Sequence, residues 1–196
     1  MNNNDELKAA AEELNVKSLD TVTAIITRRS VRKYSGDGIG DQLLHTVLNA
    51  GFCAPSAHNR RPWHFIVIRN RDKLIELSEA YMYSKMLKSA DCCIAVCADA
   101  EVQPTHDFLI ADCSAAIENM LLCAHSLGIG GVWIGVVKNT EWYDFIKNSL
   151  SLPASIVPAG LISLGVPVRS ADARDRFETG KVHYEQFGSQ FQDRFA

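Results

Sequence analysis

What this 196-residue chain lacks narrows it first. Its charge has no strong sign: 20 Lys and Arg stand against 23 Asp and Glu, a formal net charge of -3. A surface built for nucleic acid usually shows a basic excess, so no such partner is expected. The opening "MNNNDELKAAAEELNV" has neither the cationic flank nor the apolar core of a secretory leader. No later apolar run reads as long enough to cross a bilayer, so a cytoplasmic protein without a membrane partner is expected. G-x-S-x-G, a Walker loop and H-E-x-x-H are missing, the six histidines are scattered, and no pair of acids recurs in a cleft-like context. "GIGGVWIG" lacks the G-x-G-x-x-G spacing and follows a predicted helix, which disfavours a Rossmann site. Any chemistry must then come mostly from a bound cofactor.

What is present suits one compact domain. The chain is 47% hydrophobic and 22% charged, and at this length it buries roughly 70% of the surface its unfolded form exposes. There is no internal repeat, low-complexity tract or linker. Cys92, Cys93 and Cys97 lie in "CCIAVCAD", Cys113 and Cys123 in an apolar helical stretch and Cys53 near a turn. All six read as small buried hydrophobes of a reducing compartment. Neighbouring cysteines on a strand point to opposite faces, so no metal site is expected.

Residues 1–17 read as an N-terminal extension, frayed or helical, whose face of Ala and charge offers little to bury. Residues 18–196 read as a single domain. "SLDTVTAIITRRS" opens on capping residues and carries Val22, Ile25 and Ile26 at helical spacing. In "GDQLLHTVLNAGFCAP", Asp41 can cap, Leu43, Leu44, Val47 and Leu48 form a stripe, and Gly51 with Pro55 marks the stop. Four runs, "HFIVI", "CCIAVCA", "GVWIGVV" and "GLISLGV", predict strands covered on both faces, because their apolar residues are nearly continuous. Helical stretches such as "DKLIELSEAYMYSKML" and "EWYDFIKNSL" separate most of them, which predicts a central sheet clad by helices. The longest helix is predicted from about Thr105 to Leu127, stopped by Gly128. It is apolar nearly all round, more than a chain of this size hides alone, and an obligate dimer follows. The final stretch places Phe177, Tyr184, Phe187, Phe191 and Phe195 in a polar background, as expected of an arm lying across a partner subunit.

Three stretches carry more than packing. In "TRRSVRKYS" the guanidinium groups of Arg28, Arg29 and Arg32 flank the Ser30 hydroxyl, a set matched either to a phosphate or to a solvated basic helix end. In "APSAHNRRPWHF" the residues Pro55, Ser56 and Asn59 predict a tight loop at the mouth of a core strand, a binding loop or a mere strand entry. In "GIGGVWIGVVKN" the glycines at 128, 130, 131 and 135 remove side chains beside a strand, which lets backbone approach a flat ligand.

Taken in order with "YSKMLKSADCCIAVCAD", the buried helix and "LISLGVPV", these motifs resemble the nitroreductase family of FMN-dependent oxidoreductases over residues 19 to about 187. The resemblance implies an α+β fold with a central mixed, mainly antiparallel sheet, in an intertwined homodimer with FMN at the subunit interface and the C-terminal arm around the partner. By position, Arg28, Ser30 and Arg32 look like the contacts to the phosphate and ribityl chain, with Arg29 adding backbone contacts. Pro55, Ser56, Ala57 and Asn59 look like the loop laid by the second subunit against the isoalloxazine ring. Lys85 is similar to a lysine near the flavin pyrimidine edge, Trp133, Ile134 and Gly135 match the strand beside the flavin, and Arg174 and Arg176 look like a late basic pair closing on the phosphate. The implied activity passes electrons from NADH or NADPH through FMN to a small organic acceptor such as a nitroaromatic or quinone, by a ping-pong cycle. A specialised reductive task such as dehalogenation, or a flavin-binding regulatory dimer without turnover, is the alternative.

Overall fold

The computed structural model describes residues 18–169 and 175–189. Four strands, β1 (Trp63–Ile68), β2 (Cys92–Asp99), β3 (Gly130–Gly135) and β4 (Ile156–Gly165), form a sheet in the order β1-β2-β4-β3. Every paired neighbour is antiparallel. Among the described residues a parallel contact enters only as an isolated bridge between Ser30 and Gly131. The two central strands are buried almost throughout, as continuous apolar runs predict. The outer two depart from that prediction: His64 and Val67 on β1, and Trp133 and Gly135 on β3, are exposed. Central β4 carries Pro158, which has no N–H for the ladder. It is tolerated because the register slips there, with Val96 opposite Gly160 and Cys97 opposite Pro158, leaving Ala159 as the extra residue of a bulge.

Five helices clad the sheet: α1 (Thr21–Thr27), α2 (Asp41–Phe52), α3 (Arg71–Ala80), α4 (His106–Ser126) and α5 (Glu141–Ser149). Side-chain caps fix three starts. Asp20 accepts from the Thr23 N–H, Asn70 from the Lys73 N–H and Thr140 from the Tyr143 N–H. On α2 the cap position falls to Gly40, and Asp41 instead pairs with Arg69. Gly51 does not stop α2. It lies inside the helix, where a Cβ would sit 2.9 Å from the Phe65 ring and 3.1 Å from Met120, so its role is close packing of α2 on α4 and β1.

Helix α4 runs one residue short of its predicted limits at each end, and the chain turns at Gly128 with φ +78. It packs between α2 and the sheet and buries Leu109, Cys113, Ile117, Met120 and Leu121. By length and a mean hydropathy of 1.3 it would suit a bilayer, contrary to the expectation that no such run exists. Its place in the core supplies another reason for that composition. The apolar spacing of α1 is also redirected: Ala24 is buried, whereas Val22, Ile25 and Ile26 are more than half exposed in the single chain. Of the cysteines, Cys92, Cys93, Cys97 and Cys113 are buried, Cys123 is half-buried, and Cys53 at the end of α2 is exposed, against expectation.

Candidate active site

The basic stretch after α1 is laid along the edge of the sheet. The Val31 N–H donates to the Gly131 carbonyl (2.9 Å), the Ser35 N–H to the Val166 carbonyl (2.9 Å), and the Val168 N–H to the Lys33 carbonyl (3.2 Å). Tyr34 then drops its ring onto Gly165, where a Cβ would lie 2.6 Å from the aromatic carbon. Its hydroxyl donates to the Val31 carbonyl (2.9 Å) and lies 2.9 Å from Ser163 Oγ. Burial pushes the Tyr34 phenol up to about 12, with the Ser163 hydrogen bond acting against it.

This packing corrects the reading of the glycine run. A side chain at Gly130 would meet Val31, and one at Gly131 would meet Leu121 and Leu164, so both are filled by the chain itself. Gly135 alone of the three on β3 opens on free space. That space belongs to a cleft of about 550 Å³ in which Arg32, Lys85, Trp133, Ile134 and Gly135 meet. The opposite wall comes from the segment after α3, with Tyr81, Met82, Tyr83 and Met86. Buried Ser84 ties that segment back by donating to the Leu77 carbonyl (2.7 Å), and buried Leu87 anchors it, which leaves Lys85 at the surface. Among the described residues Arg32, Lys85 and Lys88 line the cleft and no carboxylate does, so this lining is positive. The Gly135 carbonyl is held by the Trp142 indole N–H at 3.1 Å.

Other predicted residues lie elsewhere in the single chain. Arg28 forms an ion pair with Glu118 of α4, Nε to Oε1 3.3 Å. Arg29 folds back on the end of α1, donating to the carbonyls of Ile26 (3.0 Å) and Arg28 (2.7 Å). It lines a separate cavity of about 280 Å³ with His125 and Arg169. Burial, and then the charges of Arg28 and Arg29, hold the His125 pKa below its ordinary value. Ser30 is exposed at its bridge to Gly131, and Arg176 is exposed on the terminal segment. Arg174 lies outside the described residues.

Pro55, Ser56, Ala57 and Asn59 form a strained turn that does not line the cleft of the same chain. His58, Asn59 and Arg61 all take left-handed φ, between 52 and 55. Two residues that sequence reasoning missed hold this turn. Asp112, buried on α4, accepts from the Ala57 N–H (2.8 Å), and buried Gln103 donates to Asp112 (3.4 Å) while accepting from Arg60 Nη1 (3.0 Å). The signal for Asp112 was a single acid inside the apolar stripe "LIADCSAAI", where an unpaired carboxylate would be costly; Gln103, in "EVQPT", gave none.

The nitroreductase family profile matches residues 25–91 and 75–166. A provisionally named NADH dehydrogenase/NAD(P)H nitroreductase of Methanothermobacter thermautotrophicus is 40% identical over 172 residues, 88% of this chain and 90% of its own. A protein of the same provisional name from Parabacteroides distasonis is 32% identical in its crystal structure, with a TM-score of 0.82 over 85% of this chain and 98% of its own. A provisionally named nitroreductase of Desulfovibrio desulfuricans, solved in complex with FMN, is 30% identical with a TM-score of 0.75, covering 86% and 98%. The chain belongs to the nitroreductase family, and its α+β architecture is that family's fold.

Proposed function

We propose that this chain is an FMN-dependent oxidoreductase that takes electrons from NADH or NADPH and delivers them to a small organic acceptor, a nitroaromatic or quinone, as a homodimer. The cleft supports this most directly: one open glycine on an edge strand, an indole beside it and three cations with no carboxylate among the described lining residues. These residues fit a flat, anionic cofactor. Gly135 admits a ring where any side chain would project, and a positive wall suits a phosphate and a ring that gains negative charge.

Bound FMN would supply hydride and electron transfer between donor and acceptor, in alternation on one site. The residues of this chain supply the rest. Lys85 and Arg32 place positive charge at the cleft, and Trp133 with Ile134 forms its apolar side. Trp142 fixes the Gly135 carbonyl, so this edge of the slot needs no rearrangement on filling. Arg28, Arg29, Ser30 and Arg176, with Arg174, are proposed for the phosphate end. Arg28 would exchange Glu118 for a stronger anion. The loop of Pro55, Ser56, Ala57 and Asn59 is proposed to serve the partner's cofactor, which explains why so much polar backbone stands at the mouth of β1. The turn between β2 and α4 is short and carries no covering helix, which favours an open, broad acceptor site over a specialised dehalogenase.

The first test is the absorption spectrum of the purified protein, with the cofactor identified after release. A flavin spectrum with one FMN per chain, bleached anaerobically by a nicotinamide donor, is expected. Arg32→Ala should weaken FMN binding by about tenfold or more, since one charge-assisted hydrogen bond contributes about 1.5–3 kcal/mol. A colourless protein that takes up no added FMN would end this assignment.

A further inference from the structure

A second groove, of about 640 Å³, adjoins the cleft, and Tyr81 and Gly135 line both. Its far side is built by the start of α5: Thr140, Glu141, Trp142 and Phe145. Three rings there lie nearly parallel. Tyr81 stacks on Trp142 with centroids 4.9 Å apart at 15°, and Trp142 on Phe145 at 5.8 Å and 11°. The Trp142 indole is locked to the Gly135 carbonyl, so the aromatic wall is fixed relative to the cleft. The Thr140 hydroxyl is engaged too, donating to the Val137 carbonyl (2.7 Å) and accepting from the Tyr143 N–H (3.2 Å).

The two connected spaces differ in charge. Among the described residues the cleft has Arg32, Lys85 and Lys88 and no acid, whereas the groove has one charged lining residue, the carboxylate of Glu141, and no cation. Lys138 and Asp144 are near in sequence, but neither is part of the lining. A ligand lying over the cofactor-filled cleft and reaching into the groove would keep its anionic part on the cationic side and a flat, hydroxyl-bearing, uncharged part in the groove.

We propose that the groove takes the adenosine half of the nicotinamide dinucleotide, and that Glu141 makes the enzyme select NADH over NADPH. The proposal rests on the oxidoreductase reading above. A dinucleotide has this polarity: its pyrophosphate is anionic, while the adenosine end of NADH offers an aromatic base and ribose hydroxyls that a carboxylate can accept from. NADPH carries a phosphate on that same ribose, which would meet Glu141 where no cation lines the groove among the described residues. A like-charge contact of this kind discriminates more by rejection than by attraction.

The experiment uses the FMN-loaded protein and the redox-inert 1,4,5,6-tetrahydro derivatives of NADH and NADPH, titrated calorimetrically so that binding is read without turnover. The NADH derivative should bind the wild type about tenfold or more tightly than the NADPH derivative. Glu141→Gln should bring the ratio to within about threefold, and Glu141→Lys should invert it. Equal affinities in the wild type, or an unchanged ratio in Glu141→Lys with FMN content intact, would overturn the proposal. Reduced nicotinamide mononucleotide, which lacks the adenosine half, should need a much higher concentration than NADH to bleach the wild-type flavin; equal potency would also overturn it. The two readings fail separately. Flavin bleached alike by NADH and NADPH leaves the oxidoreductase standing and removes the groove, whereas bound FMN bleached by no donor removes the oxidoreductase itself.

Discussion

Asp112 shows how one side chain can govern a loop it is far from in sequence. The Ala57 N–H and the Gln103 amide both point at its carboxylate, and Gln103 in turn receives Arg60. The turn they hold includes three residues in left-handed conformation, each unfavourable for a side-chain-bearing residue. Asp112→Ala should cost about 1–3 kcal/mol, the range for buried donors left without an acceptor. It should also weaken FMN binding, because the loop would relax toward ordinary φ values. Urea unfolding alongside an FMN titration checks both, and unchanged FMN affinity would reduce Asp112 to a purely structural acceptor. Tyr34 and Gly165 make a comparable pair: the ring occupies the space a Cβ would need, and so the basic stretch is held against the sheet.

At the scale of elements, β2 shows what burial does to chemistry. Its cysteines sit at the centre of the sheet with no solvent on either side. Burial pushes the thiols of Cys92 and Cys97 from an ordinary 9.0 up to about 12 and raises Cys93 well above that ordinary value. Cys113 on α4 reaches about 12 for the same reason. Above pH 9 the unfolded chain therefore releases protons that the folded chain still holds, so stability should be unaffected below that point and fall as pH rises toward 12. Urea midpoints between about pH 8 and pH 11 check this. A midpoint that did not move would mean that the thiols ionise freely in the native state. Strands β2 and β4 were legible from continuous apolar runs because burial on both faces removes any polar alternation. The edge status of β1 and β3 was not, since it depends on which neighbours pair and no local pattern records that.

The whole molecule leaves apolar surface that a single chain does not explain. Val22, Ile25 and Ile26 on α1 face outward, and on the terminal segment Phe177, Tyr184 and Phe187 are exposed, the last at 92%. The second copy of the chain proposed above would account for both, and it would bring its own loop at Pro55 to the neighbouring cleft. Light scattering after size exclusion should give twice the chain mass at micromolar concentration, and Ile26→Asp should shift the protein toward monomer with loss of FMN. A stable wild-type monomer that retains FMN would sink the shared site.

Local pattern was enough for the number of helices and strands, for the buried cysteines of β2 and for the basic and glycine-rich motifs, because these depend on residue type and short-range spacing; it did not give the end of α3, which stops at Ala80 although the stretch read as helical runs on to Leu87. The cleft was decided by tertiary structure. Arg32, Lys85 and Gly135 are widely separated along the chain, and they meet because the stretch after α1 pairs with β3 while the segment after α3 folds over the same edge. Equally, no spacing rule told Gly130 and Gly131 from Gly135. All three are glycines on one strand, and only the packing of Val31, Leu121 and Leu164 determines which of them is left open to a ligand.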